Sequence, residues 1–358
     1  MEGEISNFIF VWATVLSSLC YCHTMDKIFP QKGILRKLAI IPIACLFFYL
    51  PLNLTTIHLG GTTSFFVAWL ASFKLLLFAF NKGPLFSSTK KSIPLSRFLP
   101  LACLPIKFQH LDQTPPPQEF TKKTKKSALN YVAKIALLAL CIRVYSYKES
   151  IPQKVMWFFY CLHIYFMLEL LLAVVAFLAR GLIGIELEPQ FDEPYLATSL
   201  QDFWGRRWNL MVSNILRPTI YEPVRSICTS FFGKKRWISL VAVVATFLVS
   251  GIMHELVFYN IGRLKPTGEV MCFFLLHGVC LAVEIVAKRE FKGKIWIPGI
   301  ISGPLTLAFV IYTSFWLFFP PFLRGGADWK ACTESLAFIE FVKHQRLISP
   351  NNLTCPLL

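Results

Sequence analysis

Charged residues are scarce in this sequence: they make up 16% of its 358 residues, whereas a soluble protein averages roughly 25%. No polar interval is long enough to hold a separate soluble core, because long apolar runs recur from the first residues to Pro320. Apolar side chains account for 55% of the chain. The composition excludes a soluble enzyme and predicts a single membrane-embedded domain, residues 1–358.

Several other features are missing as well. No basic residue precedes the first apolar stretch, Phe8–Tyr21, and no small-residue cleavage pattern follows it, so we expect a membrane span there rather than a cleaved signal. No internal repeat is visible, which disfavours a transporter built from duplicated halves. A disulfide framework and a metal site are not predicted, because seven of the 11 cysteines lie in apolar stretches: Cys20, Cys22, Cys45, Cys141, Cys161, Cys272 and Cys280.

Eight windows are long and apolar enough to cross a bilayer as helices, since a crossing needs about 20 residues. The stretch from Ile93 to Phe108 is interrupted by three prolines and is predicted to lie at the interface or to re-enter. The predicted fold is therefore an all-α, polytopic bundle, and its eight windows are residues 5–22, 34–51, 62–80, 128–147, 155–179, 237–260, 269–287 and 297–320.

Lysine and arginine are shared unevenly among the connecting loops. The loops after the first, third, fifth and seventh windows hold 25 of them (four, nine, eight and four), whereas the three loops between carry four in total. The positive-inside rule then predicts that the cation-rich loops face the cytosol and that both termini lie across the membrane. The run TKKTKK at 121–126 is interpreted as a solvated loop near anionic lipid, and no nucleic-acid partner is predicted.

Ionisable residues inside membrane spans are usually either paired or functional. His254 and Glu255 lie in the sixth window, and Gly251, one turn earlier, leaves room for a substrate or another backbone. His254 could be either a buried structural histidine or a functional one. Glu255 could have a structural role as well, through a hydrogen bond to a neighbouring helix. His277 and Glu284, seven residues apart on one face of the seventh window, are interpreted as paired structural groups.

The long loop at 180–236 mixes eight cations with six acids, which indicates a structured element. From Tyr195 to Leu216 apolar residues recur at nearly helical spacing, which predicts an interfacial amphipathic helix. This segment contains the stretch FWGRRWN at 203–209, in which two arginines stand between two tryptophans.

One argument concerns the arginines of that stretch and another its tryptophans. Asp202 and Arg206 are four residues apart and are predicted to pair, which leaves Arg207 as the better cation for a phosphate. An aromatic belt at the membrane interface explains Trp204 and Trp208. Asn209 has no such explanation.

The motifs EPQFDEPYLATSLQDFWGRRWNLMV and VSGIMHELVFY, with PLNLTTIHLGG before them and LHGVC after them, resemble the plant wax-synthase-like branch of the membrane-bound O-acyltransferases. The resemblance covers nearly the whole chain. It implies a helical bundle with an internal chamber in the endoplasmic reticulum membrane, entered by acyl-CoA from the cytosol and by a lipid alcohol from the bilayer.

The resemblance carries residue roles over to Asn209 and His254 as active-site residues. Imidazole has suitable basicity to deprotonate an alcohol as it attacks the acyl-CoA thioester, so no cofactor beyond this co-substrate is expected. Cationic side chains would meet the CoA phosphates, the two tryptophans would line the entry, and two polar residues are candidate substrate contacts. This substrate-binding set is Arg206, Arg207, Lys234, Lys235, Arg236, Trp204, Trp208, His277 and Glu255.

The acceptor is left open by these motifs. A long-chain alcohol, which would give a wax ester, is the first expectation, and a sterol or a diacylglycerol acetylated from acetyl-CoA are alternatives within the same branch. A lipid or solute transporter is the alternative from a different class. The oligomeric state is not predicted.

Overall fold

The regular structure of the described residues consists of fourteen α-helices with π-helical and 3-10 turns, and no strand occurs among them. The structure is a computed structural model that describes residues 2–30, 33–86, 93–105, 128–183, 190–291 and 297–355. The prediction of an all-α fold is confirmed. In chain order the α-helices are α1 (Glu2–Ile28), α2 (Ile34–Tyr49), α3 (Ser72–Ala79), α4 (Leu95–Cys103), α5 (Ala128–Val144), α6 (Gln153–Ile183), α7 (Leu200–Asp202), α8 (Leu210–Leu216), α9 (Glu222–Phe232), α10 (Ile238–Gly262), α11 (Glu269–Phe291), α12 (Gly299–Thr313), α13 (Phe319–Arg324) and α14 (Ala327–His344).

Eight helical segments within the described residues are long and apolar enough to cross a membrane. Each overlaps one of the windows predicted from the sequence, so the polytopic helical architecture is confirmed. The described part of the proline-rich stretch predicted not to cross, residues 93–105, forms the nine-residue α4. The segments, called spans one to eight, are Gly3–Ile28, Ile34–Asn53, Ile57–Ala79, Leu129–Ser150, Gln153–Gly181, Ile238–Gly262, Glu269–Phe291 and Gly299–Arg324.

The chain divides into two compact units. The first unit comprises Met1–Leu104, Val212–Pro298 and Trp316–Cys355, and the second comprises Pro105–Met211, Gly299–Phe315 and Pro356–Leu358. Each unit has buried apolar side chains of its own. The function of the chain as a single acyltransferase domain stays a prediction.

Span three lies in the interior of the protein. It is buried over 78% of its most apolar window, whereas no other span exceeds 39%. In the first unit it runs antiparallel to span six. Two buried contacts fix the register, because the side-chain amide of Asn260 donates to Ser64 Oγ at 2.7 Å and Gly61 faces the side chain of Ile261.

A lysine inside span three holds the short helix α4. Lys74 is 2% exposed, and its Nζ donates to the carbonyl oxygens of Leu101 at 2.5 Å and Leu104 at 2.6 Å. The last carbonyls of a helix have no partner within the helix and carry partial negative charge, so an ammonium group stabilises this end.

The helix α14 binds the ends of two spans of the first unit. The carboxylate of Glu334 accepts hydrogen bonds from the backbone N–H groups of Ile57 and His58, where span three begins. Lys330 donates to the carbonyl of Ile261, near the end of span six. The helix therefore satisfies backbone groups that the two spans leave unpaired at their ends.

One disulfide is present, although no disulfide framework is predicted from the sequence. Cys332 of α14 is bonded to Cys355 in the segment after it, with Cα atoms 5.9 Å apart. The seven cysteines in apolar stretches are all free, as predicted. The disulfide is typical of an oxidising compartment, which agrees with the predicted placement of the C-terminal segment across the membrane from the cytosol.

In the second unit, α5 and α6 pack against each other around a buried ion pair. Lys134 Nζ lies 2.6 Å from Glu169 Oε1, and both side chains are at most 5% exposed. Beside the pair lies an aromatic core to which Tyr165 and Phe191 belong and on which Trp208 packs. Charge removed from water in this way is stable only when paired.

Two sequence interpretations fall outside the described residues. They are the solvated basic run at 121–126 and the acidic residues at 186 and 188 of the long loop.

Candidate active site

His254 lies on α10 with one ring nitrogen already engaged. Nδ1 is 2.8 Å from the backbone carbonyl oxygen of Ser250, one turn earlier on the same helix. A carbonyl oxygen can only accept, so Nδ1 must carry the proton in this hydrogen bond. In the neutral imidazole, Nε2 then holds the lone pair and can accept a proton from a substrate.

Aromatic rings from three spans of the first unit surround this imidazole. Phe274 of span seven stacks on it with ring centroids 4.2 Å apart, and Trp69 of span three stands nearly perpendicular to it at 4.8 Å. Phe318 lies at 6.1 Å. His254 as a residue is partly buried, and these ring contacts together with the hydrogen bond to Ser250 hold the imidazole in one orientation.

Gly251 allows spans six and seven to approach each other beside His254. A Cβ atom at this position would lie 2.9 Å from the Cα atom of Met271 and 3.3 Å from the Cβ atom of Phe274. Of the two occupants considered from the sequence, the neighbouring backbone is therefore the one found. The close approach brings Phe274 against the imidazole.

Gly251→Ala should lower the thermal stability of the protein in detergent, because the added methyl group forces the two spans apart. Overpacking of this kind typically costs about 1–3 kcal/mol. The control is Gly181→Ala, where the added Cβ meets nothing within 4 Å and alanine is the better helix former. Equal unfolding temperatures for Gly251→Ala and the wild type would contradict the close packing.

Glu255 points to the start of span seven. Its Oε1 accepts hydrogen bonds from the backbone N–H groups of Val270 at 3.1 Å and Met271 at 3.2 Å. These N–H groups have no partner within the helix, and a carboxylate there also favours the helix dipole. The sequence-based alternative of a hydrogen bond to a neighbouring helix is confirmed, while a role in substrate binding stays a prediction.

His277 is fully buried in span seven and packs on Phe273 with ring centroids 4.3 Å apart. Glu284 pairs with Lys288, four residues further along the helix, at 2.7 Å. The sequence interpretation paired Glu284 with His277 and did not predict its ion pair with Lys288. Contact between His277 and a substrate stays a prediction.

Asn209 lies in the second unit at a break between two helical segments. The π-helical turn Phe203–Arg207 ends at Trp208, which is extended, and Asn209 has a positive φ of 42°. Asparagine tolerates this left-handed conformation better than most residues. The prediction of one continuous amphipathic helix over 195–216 is therefore wrong.

Gln190 explains why the helix breaks there. Its backbone carbonyl accepts from the N–H of Leu210, and its side-chain oxygen accepts from the N–H of Met211, both at 2.9 Å. These bonds replace the partners that a continuous helix would supply. The Oδ1 atom of Asn209 is buried and has no hydrogen-bond partner among the described residues.

The two arginines of this stretch exchange the roles predicted for them. Arg207 pairs with Asp202 at 2.8 Å and also donates to the carbonyl of Asp192, whereas Arg206 is exposed. The π-helical turn causes the exchange, because its i→i+5 spacing places Arg207, rather than Arg206, over Asp202. Arg206 is thus the arginine available to a phosphate.

The two tryptophans, both assigned to an aromatic belt from the sequence, have different surroundings in the structure. Trp208 packs into the aromatic core of the second unit, with ring centroids 5.1 Å from Phe191 and 5.5 Å from Phe203. Trp204 contacts the ring of Phe203 at 5.0 Å. Trp208 is therefore a packing residue that anchors the backbone next to Asn209.

Three further cations predicted to meet CoA lie between α9 and α10 in the first unit. The side chains are all exposed, and the backbone carbonyl of Arg236 accepts a hydrogen bond from Arg289 at 3.4 Å. Phosphate binding by this group, Lys234, Lys235 and Arg236, stays a prediction.

Comparison with known proteins decides the family. Residues 187–276, which contain both Asn209 and His254, match the model of the membrane bound O-acyl transferase family. A long-chain-alcohol O-fatty-acyltransferase from Simmondsia chinensis is 43% identical over 93% of this chain and 94% of its own length. An acyl-CoA–sterol O-acyltransferase from Arabidopsis thaliana is 46% identical over 96% and 98%, respectively. A probable long-chain-alcohol O-fatty-acyltransferase of the same plant is 42% identical over 96% of this chain and 99% of its own length.

The chain belongs to the membrane bound O-acyl transferase family. As a member it is an O-acyltransferase, and the family implies acyl-CoA and an alcohol as its substrates. The resemblance read from the sequence motifs is thereby confirmed, and the transporter alternative is not retained.

For this O-acyltransferase, the sequence motifs made His254 and Asn209 the candidate active-site residues, and that assignment stays a prediction; the motifs did not point to the residues that contact His254 or the backbone beside Asn209 in the structure. Ser250 precedes His254 by one turn and Gln190 stands in the motif EPQFDEP, so both lie within the sequence motifs and could have been considered as partners. Trp69 could not be singled out from the sequence, because aromatic residues are common in apolar spans.

Proposed function

We propose that this O-acyltransferase moves a long-chain fatty acyl group from acyl-CoA to a long-chain alcohol, which yields a wax ester. The arrangement of His254 carries the proposal. Nδ1 is hydrogen-bonded to the carbonyl of Ser250, so Nε2 keeps its lone pair, and the surrounding side chains are aromatic and apolar. The acceptor class rests on relatives named long-chain-alcohol O-fatty-acyltransferases.

The proposed chemistry is direct transfer. An alcohol is a weak nucleophile, so Nε2 of His254 takes its proton as the alcohol oxygen attacks the thioester carbonyl carbon. The C–S bond then breaks, and the proton passes from the imidazolium to the departing sulfur. CoA is a fair leaving group, since a thiol pKa is about 8.5, and the reaction needs neither an acyl-enzyme nor a cofactor.

Asn209 is the proposed second catalytic residue. Its amide would donate a hydrogen bond to the developing oxyanion or orient the acyl carbonyl. The buried side-chain oxygen has no partner among the described residues, which supports a role toward a ligand because an unpaired buried polar group is costly unless something binds it. The amide can present either its oxygen or its nitrogen by rotation.

Binding of the CoA phosphates is proposed for Arg206, with Lys234, Lys235 and Arg236 as further cations. All four are exposed, and guanidinium groups bind phosphate bidentately. In the orientation predicted from loop charge, all four face the cytosol, where acyl-CoA is found. The endoplasmic reticulum is the proposed membrane.

A sterol is the second candidate acceptor. The relative named acyl-CoA–sterol O-acyltransferase is 46% identical to this chain, against 43% for the long-chain-alcohol enzyme of Simmondsia chinensis. Both acceptors present one hydroxyl on an apolar body, so the same base serves either.

An acceptor panel tests the proposal. Membranes containing the protein are supplied with short- or long-chain acyl-CoA and with a fatty alcohol, a sterol or a diacylglycerol, and the ester products are separated and quantified. We expect wax ester from long-chain acyl-CoA to dominate. Membranes without the protein give the background from other enzymes, and sterol ester above that background without wax ester would establish the second candidate instead.

A further inference from the structure

Trp69 has a buried hydrogen-bond donor that no described residue accepts. The side chain is 2% exposed, and its Nε1–H has no acceptor among the residues that the structure describes. A buried donor without a partner typically costs about 1–3 kcal/mol. Most buried polar groups in native proteins are paired, so this one requires an explanation.

The position of this donor beside His254 suggests what it serves. The indole and imidazole centroids are 4.8 Å apart with the ring planes at 83°. His254 offers Nε2 as an acceptor, and Trp69 offers Nε1–H as a donor. An acceptor and a donor are the two kinds of group that an acyl transfer needs, because one oxygen of the tetrahedral centre loses a proton and the other gains negative charge.

The fold holds the two rings in fixed register. Gly61 faces Ile261, Ser64 binds Asn260, and Trp69 meets His254, in steps that follow two antiparallel helices. The Trp69 side chain is carried by the π-helical segment Ser64–Ala71, and such segments occur frequently at functional sites. Preorganised donors of this kind need no rearrangement during the reaction.

We infer that the indole N–H of Trp69 donates a hydrogen bond to the acyl carbonyl oxygen as it becomes an oxyanion. His254 takes the proton of the alcohol while the alcohol oxygen bonds to the thioester carbon, and the π electrons of the carbonyl move to its oxygen, which Trp69 stabilises. On collapse the C–O double bond re-forms, the C–S bond breaks and sulfur receives the proton. This inference rests on the proposed function of His254.

Trp69→Phe tests the assignment, because phenylalanine keeps an aromatic ring and lacks the donor. Loss of one oxyanion donor typically lowers kcat about 100-fold, whereas the KM for acyl-CoA should change little because the bond strengthens only in the transition state. Trp12→Phe is the matched control in the same unit, since the Trp12 indole donates to Thr63 Oγ1 at 3.1 Å and lies outside the proposed chemistry.

A second variant covers the case in which Trp69→Phe does not accumulate. β-(3-Benzothienyl)alanine at position 69 keeps the bicyclic shape and replaces N–H by sulfur, and it should show the same loss of kcat. Either variant with the kcat of Trp12→Phe would overturn the assignment. His254→Ala in the same assay separates the two ideas: retained activity there removes the proposed base, whereas loss there with full activity at position 69 removes only the role of Trp69.

Discussion

His254→Ala should lower kcat for ester formation by about 100- to 10,000-fold, which is the usual contribution of a positioned general base. The expectation follows from the hydrogen bond of Nδ1 to Ser250, which leaves the lone pair on Nε2. Alanine removes both the base and the ring that Phe274 covers. The measurement is the initial rate with saturating acyl-CoA and alcohol, normalised to protein in the membrane.

Two controls keep this result interpretable. His344→Ala removes an exposed histidine at the end of α14 and should leave the rate unchanged. His254→Gln retains hydrogen-bonding capacity toward Ser250 without imidazole basicity, so we expect it to be as slow as His254→Ala. A His254→Gln enzyme with the wild-type rate would show that position 254 is structural.

Lys134→Met should destabilise the second unit strongly, by about 3–5 kcal/mol. The variant leaves Glu169, which is 5% exposed, as a buried carboxylate without its counterion at 2.6 Å. Both residues lie within spans, where an uncompensated charge is expensive. The measurement is the unfolding temperature in detergent, together with the amount of protein that accumulates in the membrane.

The double variant Lys134→Met/Glu169→Leu distinguishes loss of the pair from loss of one partner. Replacing a whole buried pair by apolar side chains is often neutral, so we expect the double variant to recover most of the lost stability. Lys148→Met, at an exposed lysine near the end of span four, controls for the loss of one positive charge. Equal destabilisation in the single and double variants would rule out the proposed origin of the effect.

The spans were predictable because each must bury a long apolar run, and that requirement is written in composition alone. The partners of the charged residues inside the spans were not predictable in the same way. Lys74 and Lys134 lie in predicted spans, yet their partners come from α4 and α6. A single lysine in an apolar run shows neither which carbonyl nor which carboxylate it will meet, because that depends on packing between helices.

The candidate site shows the same division. The motifs made Asn209 and His254 candidates, while the local geometry of FWGRRWN depends on a residue outside that stretch. Gln190 supplies acceptors to Leu210 and Met211, so tertiary hydrogen bonds override a helical periodicity that extends over the whole segment. The π-helical turn then shifts the acidic partner by one residue, from Arg206 to Arg207. Helical spacing alone assumes i, i+4 and cannot detect that shift.

The bond from Glu334 to the start of span three has a consequence for biosynthesis. The two partners are separated by 277 residues in the chain. During translation, Ile57 and His58 are in place long before the ribosome has made α14, so their N–H groups must rely on water or headgroups in the interval. Span three, the most interior of the eight, therefore gains this partner only after α14 has been synthesised.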